Sequence, residues 1–178
     1  MADDLRNMSD EQLDEWFLAA VSATPLPLAQ MTEIIPHLYA SMRTPKADSL
    51  ADLVQDVLKA RHDVSGVLGI FELQAPWKTG DQAFRKRCHA ALSASYAQAH
   101  VGASYVDSVG FARNEVTTQE CLRRMRLLLS LTPGVLCMDK TWGFGIVKNV
   151  DAFYRKVAID FEKKHGHELA FEYAAAVL

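Results

Sequence analysis

At Thr132-Pro133-Gly134 the apolar pattern of this 178-residue chain changes period, and that change constrains the fold more than any other feature. Before it, apolar residues recur every three to four positions, as in amphipathic helices. After it they alternate, as in half-buried strands. Helices and strands segregated along one chain define the α+β class. The expectation is an all-helical domain over residues 1–132, a helical bundle or irregular stack of six to seven helices. A small antiparallel β-barrel over 133–178 would follow it.

Each helix carries its own start and stop signals. Ser9 with Gln12 reads as a capping box, after which Leu13, Trp16, Phe17, Ala20 and Val21 share a face that ends at Pro25. A second stripe, Leu28, Met31, Ile35, Leu38 and Met42, is kinked or restarted at Pro36. A third helix starts near Asp48 or Ser49 and carries Leu50, Leu53, Val54, Val57 and Leu58. Asp63 caps a fourth with Val64, Val67, Leu68 and Phe71, ending before Pro76. Residues 81–100 place Phe84, Cys88, Ala91, Leu92, Ser95 and Ala99 on one stripe, and a short helix follows around 102–111. Thr117 with Glu120 reads as another capping box, opening a helix with Cys121, Leu122, Met125, Leu128 and Leu129 inward.

Beyond the switch, strands are expected at Val135–Met138, Phe144–Val150, Lys156–Phe161 and Glu168–Phe171. "KKHGH" would be a turn and "YAAAVL" a last helical turn. So few short strands make little core, so the barrel should lean on the helices. The chain also stops on an apolar run with no polar tail, as expected of a piece of something longer.

Within this region, "KTWGFGIVKNVD" at 140–151 poses the sharpest choice. A phosphate cradle needs a glycine-rich turn that opens a helix. Here Gly143 and Gly145 run into Ile146 and Val147, which continue as a strand. Trp142, Gly143 and Gly145 therefore form a structural corner, with Trp142 covering the open end of the barrel. Alternation assigns Phe144 and Phe161 inward.

Composition excludes several classes. Hydrophobic residues at 49% and charged residues at 23% suit a chain that buries a core, and a net charge of −3 gives no global pull toward nucleic acid or anionic membranes. Cys88, Cys121 and Cys137 are scattered and odd in number, which fits a reducing cytoplasm rather than a disulfide framework. The acidic start is no signal peptide, and no apolar run nears the ~20 residues of a membrane span. His165 and His167 flank a turn without further ligands, His89 points about 100° away from Cys88, and Asp14–Glu15 complements a helix dipole. No catalytic, cofactor or metal residue is assigned, and no enzyme is expected.

The last quarter of the chain carries Trp142, Gly143 and Gly145, then Val157, Ile159, Asp160 and Phe161, then Gly166 and His167. In this order of Trp-Gly-x-Gly strand, Val-x-Ile-Asp-Phe strand and Gly-His turn, it resembles one part of large Gre-type bacterial transcription elongation factors. That part is the SH3-like or Tudor-like barrel of their N-terminal region. CarD-type barrels have similar corners, and the helical part matches only in general organisation. The resemblance implies a cytoplasmic, non-catalytic interaction module that engages RNA polymerase or its nucleic acid, with a Gre cleavage module further downstream. The alternative is a stand-alone nucleic-acid-binding or protein-interaction module of SH3/Tudor type. Candidate contacts are Arg123, Arg124 and Arg126 on the polar side of their helix, with Lys148 and Arg155 in the barrel turns. Phe153 and Tyr154 are candidates for an exposed contact surface, and the barrel aromatics also invite a cation-binding cage. Arg85, Lys86 and Arg87 form a short basic run that reads equally as a solvated face or a phosphate contact.

Overall fold

A computed structural model describes residues 5, 7–23, 27–97 and 100–178. Helices come first and a four-stranded antiparallel sheet follows, so the class is α+β. The chain divides into two compact units, Met1–Lys78 and Thr79–Leu178. The change of period near residue 132 therefore falls inside the second unit and is not where the units divide.

The first unit contains α1 (Asp10–Ser22), α2 (Leu28–Ala40), α3 (Thr44–Ala60) and α4 (Val64–Gln74), closed by a 3-10 turn at Ala75–Trp77. The Ser9–Gln12 capping box forms in both directions. Pro25 lies outside the described residues, as does Ala99 further on. Helix α2 runs unbroken through Pro36 and stops at Ala40, because Met42 adopts a left-handed φ of 59° and points into solvent. Helix α3 starts at Thr44, earlier than Asp48, since Pro45 sits in the first turn where its missing N–H costs nothing. The core is Leu13, Phe17, Met31, Ile35, Leu38, Leu50, Val54, Leu58, Leu68 and Phe71. A buried polar chain threads it. Gln55 donates to Gln74 at 3.0 Å, Gln74 donates to the Tyr39 hydroxyl at 3.1 Å, and Tyr39 donates to Asp48, which also pairs with Lys78 at 2.7 Å.

The second unit opens with α5 (Gln82–Tyr96), capped by Asp81, then α6 (His100–Ser108) and α7 (Thr118–Ser130). The Thr117 hydroxyl caps α7 by accepting from the Glu120 N–H at 3.2 Å. The reciprocal half of the expected capping box is replaced, because the Glu120 carboxylate turns to Arg123 at 2.7 Å and Arg124 at 2.8 Å. Those hydrogen bonds, Arg123's first, pull Glu120 from 4.5 down to about 2 despite partial burial. Its folded-state value is thus depressed, so the stability it confers is present above the unfolded value and lost as pH falls toward 2. The melting-temperature advantage of the wild-type chain over Glu120→Gln should therefore shrink as pH falls from 5 to about 3. A gap independent of pH would refute the charge-based role.

The strands are β1 (Leu136–Asp139), β2 (Gly143–Asp151), β3 (Lys156–Phe161) and β4 (Lys164–Ala170), a meander in the order β1-β2-β3-β4. The segment expected as the turn "KKHGH" belongs largely to β4, and the turn itself shrinks to residues 162–163. Gly166, at φ 61°, absorbs the bulge that lets this segment keep pairing with β3. The expected barrel is not closed. Among the described residues β1 and β4 do not pair, and helix α8 (Phe171–Val177) packs on β3 and β4 instead. Val147, Val157, Ile159, Phe161 and Leu169 form the inner face of the sheet, and Phe171 of α8 meets Tyr105 of α6 edge-on at 4.8 Å.

Candidate functional site

The hairpin of β1 and β2 is shaped by three residues. Asp139 is buried, and one of its carboxylate oxygens accepts the N–H groups of Thr141 at 2.7 Å and Trp142 at 3.0 Å. This Asx-type turn folds residues 140–142 into a tight loop. Gly143 ends the loop at φ 81°, a left-handed conformation that favours glycine. Gly145 has a different task. A Cβ there would stand 2.6 Å from the Phe161 ring and 2.7 Å from Ile159, so the glycine lets β2 lie flat on the core of the sheet.

That close approach sets the phase of β2. Gly145 and Val147 point inward, so Phe144 and Ile146 point out, which corrects the inward assignment of Phe144. Across the ladder Leu136 faces Ile146 and Met138 faces Phe144. Four large apolar side chains therefore sit together on the outer face, with exposures of 72% for Leu136, 56% for Met138, 59% for Phe144 and 41% for Ile146. Scattered exposed apolar residues are ordinary, but a contiguous patch on a regular element is not. Charged pairs border it further along the same face, Lys148–Asp160 at 3.5 Å and Lys156–Glu168 at 2.8 Å. The result is an apolar centre with a polar margin, the anatomy of a protein–protein contact.

The other candidate contacts lie elsewhere. Arg123 and Arg124 hold Glu120, and Arg123 also donates to the Ala175 carbonyl at 3.1 Å, fixing α8 to α7. Arg126 is exposed on α7, near Tyr96, whose hydroxyl is pushed up by burial against the opposing charge of Arg126. Arg155 pairs with Asp107 at 2.8 Å, and its carbonyl accepts the Phe171 N–H at 2.9 Å. These partners draw much of the basic set into scaffolding. Phe153 and Tyr154 project from the β2–β3 turn and meet each other edge-on at 4.9 Å. Trp142 is half-buried against His167 at 5.4 Å, and the ammonium of Lys164 lies 4.8 Å from the centre of its ring. Lys164 thus meets one of the aromatics of the anticipated cage, Trp142, by a cation–π contact.

Burial pushes the Cys88 thiol up to about 12 and raises Cys121 and Cys137 as well. Among the described residues no group of three or more His, Cys, Asp or Glu could hold a metal ion, and no helix is long and apolar enough to cross a membrane. The first unit has an apolar groove of about 620 Å³ between α2 and α4, floored by Gly66 and Gly69, with Glu33 as its carboxylate. It offers no set of converging polar groups.

Sequence reading missed Leu136, Met138 and Ile146 because both phases of β2 carry apolar residues. It also missed Asp139, although an aspartate in Asp-Lys-Thr-Trp-Gly, two and three residues ahead of the amides it holds, is a usable Asx-turn signal. Arg85, read as part of an exposed or phosphate-binding run, is buried instead. Comparison with family models, curated proteins and solved structures finds no match.

Proposed function

We propose that this chain is a cytoplasmic, non-catalytic interaction module of a Gre-type transcription elongation factor, engaging RNA polymerase through the outer face of the β1–β2 hairpin. The observation that carries the reading is the cluster of Leu136, Met138, Phe144 and Ile146 in two facing pairs. An apolar centre favours a protein partner, since nucleic-acid sites are built from unpaired positive charge. The commitment of Arg123, Arg124 and Arg155 to carboxylates, together with the net charge of −3, points the same way. The resemblance of the Trp142–His167 segment supplies the polymerase as the particular partner.

The test is binding of the immobilised chain to purified bacterial RNA polymerase core and to elongation complexes. Phe144→Ser combined with Ile146→Ser should weaken binding by about tenfold or more, because central apolar residues dominate such contacts, and should leave the melting temperature nearly unchanged. Arg123, Arg124 and Arg126→Ala should affect it little. Added with magnesium to backtracked complexes, the chain should leave the labelled transcript uncut. Absence of polymerase binding, or tight salt-insensitive binding to free DNA or RNA, would overturn the assignment.

A further inference from the structure

We infer that the free edge of β1 takes up an extended segment of the partner protein as an added strand. This rests on the docking reading above and names the conformation and chemistry of what docks there. The phase of the hairpin carries the inference. Gly134, at φ 93°, donates to the Val147 carbonyl at 2.8 Å, and the Val147 N–H donates to the Val135 carbonyl at 2.9 Å. This is the glycine-led bulge that starts an antiparallel ladder in a defined phase.

From that start Cys137 and Gly145 form a hydrogen-bonded pair, and Leu136–Ile146 and Met138–Phe144 form the alternate, non-bonded pairs. The Glu162 N–H donates to the Phe144 carbonyl at 2.8 Å on the far side of β2, as this phase requires. The N–H and C=O groups of Leu136 and Met138 therefore point away from β2. Among the described residues no strand pairs with that edge.

Proteins guard such edges with lysine, proline or inward-pointing charge. Between Leu136 and Met138 there is none, and Asp139 is spent on the loop. Open main-chain groups thus run beside an uncharged, apolar face. An extended segment with apolar residues at every second position matches both, since its main chain continues the ladder and its side chains cover Leu136 and Met138. The size of the site argues against a second copy as occupant. A stable interface takes roughly 20–30 residues a side, whereas a four-residue strand with its apolar cluster is the size of a peptide site.

Two arms test the proposal. A phage-displayed library of short random peptides is selected on the full chain, and hydrogen exchange is followed at the Leu136 and Met138 amides with selected peptide or with RNA polymerase core. Selected peptides should carry apolar residues at alternate positions, and both amides should slow on binding. Met138→Pro removes one outward N–H without touching the β2 ladder, so it should bind about tenfold more weakly than Met138→Ala, which removes only the side chain. Peptides with helical spacing, no enrichment, or amides that stay unprotected in a bound state would overturn strand addition. Protection that appears only with concentration-dependent dimerisation would make the occupant a second copy and also overturn it. Selection of alternating peptides without polymerase binding would leave strand addition standing and remove the polymerase assignment. Polymerase binding with both amides exposed would do the reverse.

Discussion

Arg85→Met is expected to cost the unit Thr79–Leu178 about 3–4 kcal/mol. The Arg85 guanidinium is buried and donates to four carbonyls. Nε reaches Phe111 at 3.0 Å, Nη1 reaches Val116 at 2.6 Å, and Nη2 reaches Gly110 at 2.7 Å and Arg113 at 2.8 Å. The planar fork of arginine is what spans these acceptors at once. It thereby ties the irregular segment between α6 and α7 to α5, and it lies 5.8 Å from the centre of the Phe111 ring. Methionine fills part of the volume but donates nothing. The Gly110 and Arg113 carbonyls keep the N–H groups of Arg113 at 2.9 Å and Val116 at 3.3 Å, while those of Phe111 and Val116 lose the guanidinium in a largely buried place. Arg85→Lys should fall between, because one ammonium cannot reach the full set. Urea denaturation of the three proteins decides the matter, and a loss below about 1 kcal/mol for Arg85→Met would mean that water replaces the guanidinium at little cost.

Gly145→Val should lower stability by about 2–3 kcal/mol through overpacking, with near-ultraviolet circular dichroism reporting a disturbed sheet. The new side chain would enter space held by the Phe161 ring and Ile159, both on the buried face. Gly143→Ala tests the neighbouring glycine by another mechanism. Its cost, about 1–2 kcal/mol, would come from the left-handed φ, since the atom in the way is the mobile end of Glu162. A coupled pair sharpens the test. Gly145→Ala should be partly rescued by Phe161→Leu, and Gly143→Ala should not, because contact residues couple and separated ones add. Equal responses of both glycine variants to Phe161→Leu would show that close packing is not the role of Gly145.

Much of the helical half could be read from the chain because its signals are local. Ser9, Asp63, Asp81 and Thr117 cap helices by side-chain bonds to amides three residues on, and Leu13, Leu50, Leu68, Leu92 and Met125 are buried on the stripes their spacing defines. Misjudged boundaries have local causes too. Proline ends helices in most contexts, but Pro45 occupies the tolerant first turn and Pro36 is absorbed within α2. The strand phase was harder, because Phe144, Ile146 and Val147 offer apolar residues to both faces.

By itself, then, the sequence determined that helices precede strands and where most of them lie, though not that "KKHGH" pairs as part of β4 or that Phe171 opens a helix. Caps, apolar periods and turn residues act within a few positions of one another, so they are legible without the fold. Only the tertiary structure decided which side of β2 is buried, because that depends on Gly145 meeting the Phe161 ring across the sheet. It also decided that Arg85 serves carbonyls more than twenty positions away, and that α8 rather than a β1–β4 pairing covers the inner face of the sheet. Hydrogen bonding and close packing between distant residues carry no periodic trace along the chain, and here they expose Leu136, Met138, Phe144 and Ile146.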